Sequence, residues 1–180
     1  MLTFATLAVL ALTTTTGAIV EKGQTAPDFA LRSLRGTEVR LSNELKHGPV
    51  TLVVLRGFPG YQCPLCNRQV QDFIRNQRLF EGERVLFVYP GPPDNLEARA
   101  KEFAADKSLP ANFDLLLDPD YKFTNLYGIR WDAPKETAYP STYLIAKDGK
   151  VFFSKVSMSH GGRTDAGEVA KILNPAPPSK

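Results

Sequence analysis

Cysteine and histidine are both scarce in this chain: Cys63 and Cys66 are the only thiols among 180 residues, and His47 and His160 the only imidazoles. A zinc site takes four ligands, and these four residues stand at no recognisable ligand spacing, which speaks against zinc. A basic run is lacking too. The 22 Lys and Arg are scattered among 19 acids for a net charge of +3, without an interleaved aromatic platform, so a nucleic-acid partner is not implied. Internal repeats and low-complexity tracts are absent apart from Thr13–Thr16 and the proline-rich end. This length, with 43% apolar residues, suits one globular domain or one domain plus a short extension.

Charge is missing altogether from residues 2–20. Leu7–Leu12 is an apolar run, and Thr16-Gly17-Ala18 after it are small residues suited to signal-peptidase cleavage, so residues 1–18 read as a secretory signal without the usual basic start. An uncleaved membrane anchor is the alternative, since 19 uncharged residues approach the roughly 20 that span a bilayer. A buried first helix would need a polar face, and there is none. Signal and anchor alike put the rest of the chain outside the cytoplasm, where a lone cysteine pair can persist oxidised.

What is present is organised around Arg56-Gly-Phe-Pro-Gly-Tyr-Gln-Cys63-Pro-Leu-Cys66. Before it, Val50–Leu55 is a β-branched, apolar run without polar alternation, as a strand buried on both faces reads. After it, Val70, Phe73 and Ile74 follow Cys66 at spacings of three and four, with Arg68, Gln71, Asp72 and Arg75 on the other side, which predicts an amphipathic helix over Cys66–Phe80. Pro64 suits a first helical turn. The free N–H groups and positive dipole end at such a turn favour an anion, and the anion at hand is a thiolate. A structural disulfide closing so short a loop would add little stability. Redox chemistry at Cys63 and Cys66 is the reading that uses both residues.

Phe29–Leu31 and Val39–Leu41 read as strands joined at Arg35-Gly36, and Ser42 caps a short turn. Val85–Tyr89 is a second buried strand stopped by Pro90. Asn95 opens a helix with Leu96, Ala100, Phe103 and Ala104 on one face. Phe113–Leu117 is a strand, Asp118–Tyr127 a short helix ended by Gly128, and Tyr143–Ala146 and Val151–Ser154 are strands joined by an Asp148-Gly149 hairpin signal. Asp165 caps a last helix carrying Val169, Ile172 and Leu173, and residues 174–180 form a tail. Strands alternating with helices call for an α/β fold: a central mixed sheet flanked by helices, an N-terminal hairpin, and active groups at the carboxyl ends of the strands.

This order, with Ala26-Pro-Asp-Phe, Cys63-Pro-Leu-Cys66 and Tyr139-Pro-Ser-Thr-Tyr-Leu-Ile-Ala-Lys-Asp-Gly, resembles the thioredoxin-like superfamily over about residues 22–173. Within it the chain is similar to the alkyl hydroperoxide reductase/thiol-specific antioxidant group, the peroxiredoxins and their redoxin relatives. Those proteins carry Pro-x3-Thr/Ser-x2-Cys, so the resemblance puts Cys66 on the peroxide-attacking position, Pro59 at the head of the motif, and Cys63 where the hydroxyl residue stands. The arginine expected two residues before Thr142 is Pro140, which looks instead like the cis-proline that faces the redox pair in thioredoxin; an ordinary turn is the other reading. Arg56 and Arg163 are candidates for the missing charge, although an arginine in such a place is more often a solvated surface residue. Tyr61 and Trp131 read as packing or loop aromatics or as the lining of a partner groove, and His160 as loop.

The resemblance implies a thiol peroxidase that needs no cofactor: Cys66 attacks a hydroperoxide, Cys63 resolves the sulfenic acid as a disulfide, and a thioredoxin-like thiol reductant regenerates the pair. A thiol-disulfide oxidoreductase, with Cys63 attacking a partner disulfide, is the second expectation. A metallochaperone holding Cu(I) between the thiolates is the third, and it needs a third ligand that the sequence does not offer.

Overall fold

The computed structural model describes residues 17–175. Seven strands form one mixed sheet, flanked by five helices. The strands are β1 (Ala30–Ser33), β2 (Glu38–Arg40), β3 (Val50–Val54), β4 (Arg84–Gly91), β5 (Phe113–Pro119), β6 (Ser141–Ile145) and β7 (Val151–Val156). The helices are α1 (Leu41–Glu44), α2 (Pro64–Arg75), α3 (Leu96–Ala104), α4 (Lys122–Leu126) and α5 (Ala166–Leu173). The sheet order is β2-β1-β5-β4-β3-β6-β7, with β3, β4 and β5 parallel at the centre and the two hairpins antiparallel at the edges. This is the α/β sheet expected.

Alternation along the central strands divides the core into two apolar layers. Leu52 and Val54 of β3 and Leu86 and Val88 of β4 face one layer with Phe123 and Tyr127, on the α1 and α4 side. Val53, Val85, Phe87 and Tyr89 face the other with Val70, Phe73, Phe103 and Val169, on the α2, α3 and α5 side. Both cysteines belong to this second layer. Phe73 of α2 stacks on Phe80 at 5.1 Å and meets Phe87 edge-on at 5.6 Å, which seats the cysteine helix on the sheet.

Several elements differ from the sequence expectation for local reasons. The long helix expected over Cys66–Phe80 begins at Pro64 and breaks at Asn76, whose side chain bonds back to the Asp72 carbonyl and carboxylate at 2.9 and 3.1 Å; a 3-10 turn, Gln77–Phe80, follows. The helix expected over Asp118–Tyr127 shrinks to α4. Asp120 and Tyr121 both take φ of 58°, and the Asp118 carboxylate, still in β5, accepts from the N–H groups of Phe123 and Thr124 at 2.8 and 3.1 Å. Strand β4 runs on through Pro90, expected as a stop, to Gly91. Leu41 opens α1 rather than ending β2. Asp165 caps α5 as expected, its side chain accepting from Glu168 N–H at 2.7 Å.

Most of the segment read as signal or anchor lies outside the described residues. From Gly17 onward the backbone lies against the end of α4, Gly17 N–H donating to the Asn125 carbonyl at 2.8 Å, and Val20 is buried. Gly128, with φ of 65°, permits this approach, because a Cβ there would collide with the backbone of residues 17–19. No described helix is long and apolar enough to cross a membrane.

Candidate active site

The cysteines sit beyond the carboxyl end of β3, where the chain turns through Arg56–Gln62 into α2. Gly57 makes the turn possible: its φ is 68°, and a Cβ would strike the Pro90 carbonyl, to which the next N–H, that of Phe58, donates at 2.9 Å. Pro59 and Gly60 (φ 110°) carry the loop round to Tyr61. Cys63 is the N-cap of α2 and accepts a hydrogen bond on Sγ from the Cys66 N–H at 3.3 Å, the position where a Ser or Asp side chain ordinarily caps a helix. Cys66, one turn on, faces the core.

The two sulfurs are chemically unequal. Cys66 is wholly buried, and burial followed by its hydrogen bond to Cys63 pushes its thiol well above the ordinary value. Cys63 is 3% exposed. The hydrogen bond from the Cys66 side chain, the Cys66 N–H, and the charges of Arg163 and Arg56 together outweigh burial and bring its thiol down to about 6. The surroundings thus favour the thiolate on Cys63 and the thiol on Cys66. Both are free cysteines in this structure.

Arg163, one hundred residues away in sequence, brings its Nη2 to 3.9 Å from Cys63 Sγ. Its other contacts are neutral: Nε donates to the His160 carbonyl at 3.1 Å and Nη1 to the Gln69 side-chain oxygen at 3.0 Å. Gln69 is itself buried on α2 and is fixed by donating to the Thr164 carbonyl at 3.0 Å. Nothing in the sequence had marked Gln69; its spacing of three from Cys66, on the buried side of the helix, was the available signal.

Arg56 reaches the cysteines through its charge. Its guanidinium, 4% exposed, donates to Glu136 at 2.6 Å, to the Tyr61 hydroxyl at 2.6 Å and to the Lys135 carbonyl at 2.6 Å. The far oxygen of Glu136 meets His160 Nε2 at 2.9 Å, and the His160 ring lies 5.1 Å from that of Trp131, itself stacked on Tyr139 at 4.7 Å. This clasp ties the cysteine loop to the segments before β6 and α5, so Tyr61, Trp131 and His160 shape the rim. Arg56 is buried rather than a solvated surface charge, and Arg163 is half-buried with its guanidinium turned to Cys63.

Pro140 is buried at the start of β6, its carbonyl accepting from Ser157 N–H at 2.8 Å. All peptide bonds among the described residues are trans. The cis bond weighed for Pro140 is therefore replaced by the ordinary strand entry, which a proline suits because the position needs no N–H. Among the described residues no three His, Cys, Asp or Glu side chains cluster so as to hold a metal ion.

Comparison with known proteins agrees with this fold. Residues 22–154 match the family described as AhpC/TSA. The putative peroxiredoxin bcp of Helicobacter pylori is 34% identical over 149 residues, covering 78% of this chain and 93% of the relative. The thiol-disulfide oxidoreductase ResA of Geobacillus thermodenitrificans is 31% identical over 135 residues, covering 73% and 67%. Among solved structures, a peroxiredoxin-like protein from Aquifex aeolicus superposes with a TM-score of 0.71 over 88% of each chain at 19% identity, a likeness of fold.

Proposed function

Because the chain belongs to the AhpC/TSA family and is a thiol peroxidase of thioredoxin-like fold, we propose that it reduces hydroperoxides through the Cys63–Cys66 pair with Cys63 as the first nucleophile. The observation that carries this order is the inequality of the sulfurs: the acidified thiol at the helix cap belongs to Cys63, while Cys66 is buried and protonated. The motif spacing gives the opposite order; the helix cap and the Arg163 charge beside Cys63 support this one, because the thiolate is the nucleophile. The Cys63 thiolate attacks the peroxide oxygen, the O–O bond breaks, and Cys63 becomes a sulfenic acid. The departing alkoxide or hydroxide is stabilised by the Arg163 guanidinium and takes a proton from solvent. The Cys66 thiol then condenses with the sulfenic acid, forming the Cys63–Cys66 disulfide and releasing water.

A dithiol of thioredoxin type restores the pair by exchange at Cys63, the residue at the turn ahead of α2. The same ordering would serve disulfide exchange on a protein partner, the reading that likeness to ResA favours. The uncharged residues 2–20 and the small residues 16–18 support an extracytoplasmic location with a mature chain beginning near Ile19. Stopped-flow peroxide consumption by the reduced protein, set beside insulin reduction by the same sample, tests the function. Rapid peroxide loss with slow insulin reduction is expected, and the reverse would make the protein an oxidoreductase of disulfides.

A further inference from the structure

A cavity of about 350 Å³ opens between α2 and the segment leading into α5, and shares Arg163 with the nucleophile's surroundings. This is a size suited to a small ligand. Leu65, Arg68, Gln69 and Arg75 line it from α2, and Arg163 and Thr164 line it from the opposite wall. Two carboxylates, Asp72 and Asp165, also border it, and both are already committed to helix backbone. Asp72 accepts from the Ala166 N–H at 2.8 Å and from Asn76 at 3.1 Å, and Asp165 accepts from Glu168 N–H at 2.7 Å. Arg68 and Arg75 form no ion pair among the described residues. The cavity thus holds three arginines against two carboxylates, its two exposed arginines are in no ion pair, and Arg163, whose Nη2 lies 3.9 Å from Cys63 Sγ, belongs to its wall.

We propose that this cavity binds the carboxylate of a small organic acid whose other end reacts at Cys63. The proposal rests on the peroxidase reading and adds a class of reactant to it. At about 1.5 Å of rise per residue, Arg68 stands roughly 7.5 Å along the helix from Cys63 and Arg75 roughly 18 Å. A short acid can therefore hold its carboxylate on Arg68, and a longer one on Arg75, with its reactive end beside Arg163. Leu65 and the arginine methylenes give its chain an apolar wall. One carboxylate chemistry suits two sources: a hydroperoxide that oxidises Cys63, or a thiol that reduces the disulfide.

The direct test titrates reduced full-length protein calorimetrically with octanoate and with octanol. Octanoate should bind and octanol should not, and Arg68→Ala/Arg75→Ala should weaken octanoate about tenfold. Two kinetic arms then separate the sources. If the oxidant is the acid, the ratio of kcat/KM for a carboxylate-bearing alkyl hydroperoxide over its methyl ester falls about tenfold in the double variant. If the reductant is the acid, the same fall appears for 3-mercaptopropionate over its methyl ester in reducing the oxidised protein. Absence of octanoate binding, ratios unmoved in both arms, or a dependence on Arg68 and Arg75 seen only with a protein reductant would each overturn the proposal. Octanoate binding by a protein that consumes no hydrogen peroxide would sink the peroxidase reading and leave the carboxylate site standing.

Discussion

Two half-buried arginines at opposite ends of the central strands show what makes a held charge structural or functional. At the amino end, Arg84 is held by two carboxylates, Glu44 at 2.6 Å and Asp114, with Ser33 and Arg35 also on Asp114. Its charge is consumed by the fold. At the carboxyl end, Arg163 is held as firmly, yet its oxygen partners are a side-chain amide and a peptide carbonyl, so its positive charge remains available to Cys63. Arg56 lies between the two cases, with one carboxylate, one hydroxyl and one carbonyl. A full set of hydrogen bonds therefore does not distinguish a working charge from a structural one; the charge of its partners does.

The largest effects should come from the sulfurs that Arg163 serves and Arg84 does not. Cys63→Ser should lower peroxide turnover by about a thousandfold or more, as loss of a nucleophile does. Cys66→Ser should consume one equivalent of peroxide and stop, leaving a sulfenic acid on Cys63 that dimedone labels and mass spectrometry locates. A label on Cys66 of Cys63→Ser, formed at the wild-type rate, would reverse the order of attack.

Arg84→Met should break the structural end alone. Asp114, its side chain 6% exposed, would lose its closest cation, at a cost of about 2–3 kcal/mol read from the denaturant midpoint. Peroxide kinetics of the folded variant should be those of the wild type. Arg163→Met should do the converse: the Cys63 thiol moves upward from about 6 toward its ordinary value, and reaction with peroxide at pH 7 slows about tenfold.

The smallest change makes the sharpest comparison. Gln69→Glu would give Arg163 the kind of partner that Arg84 has, a carboxylate in hydrogen-bond reach, without removing the arginine. The account expects the thiol of Cys63 to rise and peroxide reduction at pH 7 to slow about threefold, with about 1–3 kcal/mol of stability lost because a carboxylate cannot donate to the Thr164 carbonyl. A thiol titration unmoved by this variant would mean that the neutrality of Gln69 is immaterial.

How much of this could be read beforehand differs between the fold and the site. Val50–Leu55 and Val85–Tyr89 announced buried strands because neither alternates, and Asp165 announced α5 because a capping side chain is a local device. The Cys-x-x-Cys pair announced a redox turn for the same reason. Which sulfur is acidified was not legible, since spacing places Cys63 at the cap and Cys66 one turn on, while their depth depends on Val53, Phe73 and Tyr89, which the sheet brings together from separate segments. Arg163 and Gln69 meet only because α2 and the segment before α5 cross at Cys63, a contact 94 residues long in sequence. Asn76 and Tyr121 cut helices short through a side-chain bond and a left-handed backbone, and neither is visible in apolar spacing.

The central claim, that Cys63 is the acidified nucleophile and Cys66 the buried partner, is tested most directly by alkylating the reduced protein with iodoacetamide across pH 4–10 and assigning the modified residue by mass spectrometry. A group whose thiol is lowered reacts as pH rises through that lowered value. The account expects modification at Cys63 with a midpoint near pH 6, and none at Cys66 in the folded protein. A first label on Cys66, or a Cys63 midpoint near 9, the unperturbed value, would contradict it.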